Sequence, residues 1–112
     1  MLPKQYRLPA TSFSHTPFSG RRHHTPLFTL INSSTNLGHL RLAVIISKKV
    51  SPLATARNRL KRLLHQAVQE TLGTTPSIDL LIIAKPTPPP PTLTNLKQAL
   101  TSLHLQPIPH PL

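Results

Sequence analysis

Apolar residues along this chain follow two rhythms, and the change of rhythm marks the change of element. Leu53, Ala56, Leu60, Leu63, Leu64, Ala67 and Val68 recur at intervals of three and four. At about 100° per residue they fall on one stripe. The spacing predicts an amphipathic helix over 53–72. Gly73 is placed to cap its end, and Ser51 ahead of Pro52, or Thr55, to cap its start. Leu27–Asn32 and Leu40–Ser47 are short runs rich in β-branched and large apolar residues, with turn chemistry at Asn36-Leu37-Gly38 between them. They predict two antiparallel strands. Ile78–Ala84 is a third apolar run of strand length, headed by Thr74-Thr75-Pro76-Ser77 and stopped by Pro86. Its lack of alternation predicts a strand buried on both faces. Leu93, Leu96, Leu100 and Leu103 predict a short second amphipathic helix capped by Thr92 or Thr94, and Phe13 and Phe18 mark a short helix near 11–19.

Proline placement sharpens these boundaries. Four of the 14 prolines precede residue 27, Pro52 alone falls in 27–75, and nine follow from 76. The regular core is therefore expected to centre on 27–75, with 86–92 as a stiff proline-rich connector and 105–112 as a loose tail. The 112 residues include 20 leucines and are 38% apolar, enough to fill one modest core. A single domain over 1–112 follows, its core spanning about 5–104.

Composition then narrows the chemistry. With no cysteine, the chain has no disulfide, thiolate metal site or thiol nucleophile. Glu70 and Asp79 are its only acidic side chains, too few to build a two-metal hydrolase, because hard divalent ions need several oxygen ligands. No metal site on the protein is expected. Thirteen Lys and Arg residues give a net charge of +11, which favours polyanions through counterion release and makes nucleic acid the first partner to consider. The longest uncharged apolar runs, Leu42–Ile46 and Leu80–Ala84, are too short to span a bilayer, so a soluble protein without a membrane partner is expected.

The charge is concentrated. Arg41, Lys48, Lys49, Arg57, Arg59, Lys61 and Arg62 lie within 22 positions that contain no acid. Helical geometry places Asn58, Lys61, Arg62 and His65 on one stripe opposite the leucines, with Arg57 and Arg59 flanking the apolar seam. Arginine forks grip phosphate oxygens bidentately, and Asn58 can read a 2′-hydroxyl or a base edge. A basic helix face is also commonly no more than a solvated surface, so charge by itself does not establish RNA binding.

Order and context add to this. Leu2-Pro3-Lys4 with Arg7-Leu8, Phe13 ahead of Gly20, Leu37-Gly38-His39, Ser47-Lys48-Lys49, Arg57-Asn58-Arg59 with Lys61-Arg62, and the strand from Asp79 to Pro86 follow one another along residues 2–103. In this respect the sequence resembles the protein subunit of bacterial ribonuclease P. The resemblance implies a subunit with no active site of its own, bound to a catalytic RNA that removes the 5′ leader of precursor tRNA and leaves a 5′-phosphomonoester end. It implies a cytoplasmic ribonucleoprotein with no obligate protein partner, its Mg²⁺ held through the RNA subunit. Arg57, Asn58, Arg59, Lys61, Arg62 and His65 are thereby assigned to the RNA-subunit interface. Phe13, Phe18, Phe28, Lys48, Lys49, Arg7 and Arg41 are assigned to the leader and precursor surface, with aromatic stacking tolerating any base. The implied fold is a single-domain α-β sandwich, αβββαβα once residues near 21–25 add a short strand. Its mixed sheet carries the signature helix in a left-handed βαβ crossover, against the usual hand. The chain departs from the family pattern at Pro17, where a second aromatic is usual, at His65, where arginine is frequent, and in its non-basic tail.

Two other readings compete. A self-sufficient ribonuclease would use His15, His23, His24 or His65 as general acid and base, but adjacent His23 and His24 point to opposite sides of any regular strand. A structural RNA-binding protein of ribosomal type would use the same basic helix without any link to cleavage.

Overall fold

The computed structural model describes residues 2–8, 21–35, 37–87 and 90–103. A 3₁₀ turn at Lys4–Tyr6 precedes β1 (Arg21–His24), β2 (Phe28–Ser34), β3 (Arg41–Ile45), α1 (Ala54–Thr71), β4 (Ile78–Ala84) and α2 (Leu93–Ser102). The helix expected near 11–19, with Phe13 and Phe18, lies outside the described residues, as does the 105–112 tail.

The strands form one mixed sheet in the order β1-β2-β4-β3. β2 runs antiparallel to both β1 and β4, whereas β3 runs parallel to β4. The two strands expected as partners from their closeness in sequence, β2 and β3, are therefore not neighbours. β4 takes the place between them because its run is apolar at consecutive positions, so it needs a partner on each edge and cover on each face. The link from β2 to β3 crosses the entry to β4: Thr35 N donates to Ser77 O at 2.9 Å, Leu40 N to Thr74 O at 3.0 Å and Gly38 N to Ser77 Oγ at 2.9 Å. Gly38 makes this turn at φ +83°, a region that costs other residues a steric penalty.

Local chemistry sets the element ends. Thr25, with Pro26 following, closes the β1–β2 hairpin: its hydroxyl donates to Phe28 O at 2.9 Å and accepts from Phe28 N at 3.0 Å. Thr92 caps α2 in a reciprocal box with Asn95. Gly73 follows α1 at φ +71° and donates its N–H to Gln69 O at 3.1 Å. The start of α1 differs from expectation. Leu53 is the capping residue and no side chain caps the helix, because Ser51 Oγ accepts from Leu53 N at 3.3 Å instead. β3 also ends earlier than expected, at Ile45, and Ser47–Val50 form a turn closed by Val50 N to Ser47 O at 3.0 Å.

The core has two parts, one on each side of the sheet. Phe28, Leu30, Leu42, Leu80 and Ile82 face the helices and pack with Leu64, Ala67 and Val68 of α1, Leu96 and Leu100 of α2, and Leu2. On the opposite face Ile31, Ala43 and Leu81 pack with Leu8. Each fully buried large side chain contributes about 1.5–3 kcal/mol relative to exposure. The N-terminal segment is part of this framework, since Leu8 N donates to Leu42 O at 2.8 Å on the edge of β3.

Two expected surface residues are core residues. Phe28 is 0% exposed on the helix side of the sheet, so its ring has no face to offer a base. His65 is 2% exposed, and its Nδ1 accepts a hydrogen bond from Leu2 N at 3.3 Å. It fills the boundary between α1 and the N-terminal segment and does not reach the outer stripe.

Burial lowers the His65 pKa to about 4, with nearby positive charges, Lys61 and Arg7 among them, acting in the same direction. The folded state therefore keeps the ring neutral while the unfolded chain protonates it below about pH 6.5. Stability from this site is complete above that value and is lost as the pH falls toward 4, by about 3 kcal/mol. Denaturant titrations at pH 7 and pH 4 are expected to show a drop that His65→Gln largely removes. The ion pair of Asp79 with Arg41, made through both carboxylate oxygens at 2.8 and 2.7 Å, gives a second expectation. Asp79→Asn lowers unfolding free energy by roughly 2–3 kcal/mol in the same titration, because a mostly buried guanidinium contact is left half-paired.

Candidate nucleic-acid interface

The cationic surface begins with the direction in which α1 must face. Its apolar stripe is used against the sheet and α2, so its remaining residues, apart from the buried His65, point outward. Asn58, Arg59 and Arg62 are exposed, while Arg57 and Lys61 are half-buried along the rim of the stripe. These five residues occupy two consecutive turns of the helix. Arg57 differs from the others: its Nη1 donates to the Ser51 carbonyl at 2.9 Å. Lys48 and Lys49 are exposed on the turn between β3 and α1.

Both carboxylates are engaged elsewhere. Asp79 pairs with Arg41 across the parallel β3–β4 register. Glu70, at the far end of α1, pairs with Lys97 of α2 at 3.0 Å, and this contact holds its carboxyl below the ordinary value. No acidic side chain therefore offsets Lys48, Lys49, Arg57, Arg59, Lys61 or Arg62 among the described residues. Arg41, which sequence reasoning placed on the precursor surface, has its guanidinium clamped by Asp79 and braces the sheet. Arg7 is exposed at its bridge to Leu42, and its charge reaches His65 beside α1.

The other face of the sheet carries exposed Arg22, His24 and Ile45 around the Ile31–Ala43–Leu81 cluster. β1 places its two histidines on opposite sides, with His23 Nε2 at 3.2 Å from Asn32 Oδ1 and His24 Nδ1 at 3.3 Å from Thr29 Oγ1. Their rings cannot straddle one phosphate, and His65 is enclosed in the core, so none of these three forms a general acid and base pair. His15 lies outside the described residues.

The donor set does not fit a resident Mg²⁺. The two carboxylates sit on different elements, each already bound to a cation, and no group of three or more His, Asp or Glu is gathered among the described residues. Among those residues, no helix is long and apolar enough to cross a membrane.

Sequence reasoning missed the structural work of Leu2 and His65, and it missed the Ser51 partner of Arg57. One usable signal was that His65 lies between Leu64 and Val68, beside the apolar stripe.

A protein-family model described as Ribonuclease P matches residues 2–106. The ribonuclease P protein component of Vibrio vulnificus is 39% identical over 61 residues, which cover 54% of this chain and 52% of that protein. The component from Yersinia enterocolitica is 32% identical over 84 residues, covering 74% of this chain and 71% of that one. The chain thus aligns with about half the length of the first relative and more of the second. Among solved structures, the Staphylococcus aureus ribonuclease P protein superposes with a TM-score of 0.72 at 20% identity, covering 88% of this chain and 92% of that chain. That likeness concerns the fold, and the family match concerns the sequence: this chain belongs to the ribonuclease P protein family.

Proposed function

We propose that the chain is the protein subunit of ribonuclease P, which binds the catalytic RNA and the 5′ leader of precursor tRNA in the cytoplasm and assists removal of the leader. The observation that carries this reading is the exposed face of α1. Asn58, Arg59 and Arg62 stand clear of the core, Arg57 and Lys61 line the rim, and both carboxylates are held elsewhere. Arginine forks on consecutive turns hold phosphate oxygens, while Asn58 distinguishes RNA through a 2′-hydroxyl. The protein contributes grip and charge, and bond breaking and Mg²⁺ belong to the RNA. Lys48, Lys49 and Arg7 supply backbone contacts to the precursor, and Phe13, by resemblance to the family, stacks on a leader base.

Three outcomes are expected with the cognate RNA. Arg59→Ala and Arg62→Ala each weaken binding of the RNA subunit about tenfold in filter binding, with melting temperature unchanged because both side chains are exposed. Phe13→Ala weakens precursor binding by about 1–3 kcal/mol yet leaves assembly with the RNA subunit intact. Neutralisation of about five phosphates makes log Kd rise against log salt with a slope of about 4, and a flat response excludes phosphate-dominated contact.

A further inference from the structure

The first arginine of the signature is not arranged like the rest. Arg57 lies half-buried at the first turn of α1, and its guanidinium is turned back toward the preceding loop, where Nη1 donates to the Ser51 carbonyl at 2.9 Å. Ser51 is held a second time, since its Oγ accepts from Leu53 N at 3.3 Å. Immediately before it, Ser47–Val50 form a closed turn whose two central residues are the exposed Lys48 and Lys49. The path from the lysines to α1 therefore runs through Ser51, and Arg57 is the side chain on the helix that grips it. The start of α1 has no side-chain cap to do this work, and Pro52 has no N–H with which to tie the loop to the helix.

We propose that Arg57 is a positioning residue for phosphate binding. By holding the Ser51 carbonyl it fixes the Lys48–Lys49 turn relative to α1, so that the lysines meet the precursor backbone at a fixed place while α1 holds the RNA subunit. This inference rests on the reading of α1 as an RNA contact. Without the brace both lysines keep their charge but lose their geometry, and each must be ordered anew on binding. A lysine at position 57 preserves the charge. It shortens the side chain by one atom and replaces the extended guanidinium with a compact ammonium, which withdraws the donor from the carbonyl that Nη1 reaches at 2.9 Å.

A double-mutant cycle separates bracing from direct contact. Binding of precursor tRNA to the holoenzyme, formed at saturating ribonuclease P RNA, is measured for the wild type, Arg57→Lys, the Lys48→Ala/Lys49→Ala pair, and all three changes together. Arg57→Lys is expected to weaken binding about tenfold in the wild-type background and to stay within about twofold when the lysines are already absent. Equal losses in both backgrounds, or no loss in the first, overturn the proposal. Hydrogen exchange on the free full-length protein is the second readout: Arg57→Lys is expected to speed exchange at amides of 47–53 with an unchanged melting temperature, and unchanged exchange also overturns it. If the wild type itself fails to bind ribonuclease P RNA, the proposed function fails, while exchange still decides whether Arg57 is a brace.

Discussion

The parallel pairing of β3 with β4 is the constraint from which the rest of this molecule follows. Parallel neighbours cannot be joined by a tight turn, so the chain must leave the sheet, cross a face and return. α1 is that crossover. Because it lies against the apolar centre of the sheet, formed by Phe28, Leu30, Leu42, Leu80 and Ile82, its leucine stripe has one place to go, and most of the residues between the leucines are left to solvent. The cationic surface is thus the unavoidable back of a packed helix. The same pairing aligns Arg41 with Asp79, so the ion pair at the start of both strands reinforces the register on which the crossover depends.

Charge in this protein is governed by scarcity of acid. Two carboxylates among thirteen cations cannot neutralise the surface, and the fold commits both to bracing, one between neighbouring strands and one between the two helices. The resulting field is unbalanced near α1 and the turn before it. An anion arriving there displaces counterions and meets no competing carboxylate. Such a surface grips a polyanion well.

Much of this was legible in the sequence, for identifiable reasons. The three-and-four spacing from Leu53 to Val68 gave α1 to within a residue or two, Thr92 and Gly73 marked real ends, and the consecutive apolar residues Leu80–Ala84 of β4 announced a strand buried on both faces. Strand order was not legible. Nothing local distinguishes a hairpin between β2 and β3 from a pair held apart by a strand that enters only at Ile78, after the whole of α1. Phe28 and His65 were misplaced for a more instructive reason. Period two puts Phe28 on the same face as Leu30, so the strand pattern itself argued for burial, while the appeal of an aromatic platform argued against it. His65 sits one position beyond Leu64, where the edge of an apolar stripe becomes core once Leu2 folds over it. Arg57 shows the limit of helical-wheel reasoning in another way, since its partner is a main-chain carbonyl in a loop whose course the wheel does not contain.

The central claim is that the outer face of α1 grips RNA for a reaction performed by RNA. Single-turnover cleavage of precursor tRNA at physiological Mg²⁺ tests it most directly, with the cognate RNA alone, the protein alone, the two together, and the RNA with an Arg59→Ala/Lys61→Ala/Arg62→Ala chain of unchanged fold. The account predicts no cleavage by the protein alone, a gain when wild-type protein joins the RNA, and loss of most of that gain in the neutralised variant. Cleavage without RNA, or an undiminished gain with the neutralised helix, would contradict it.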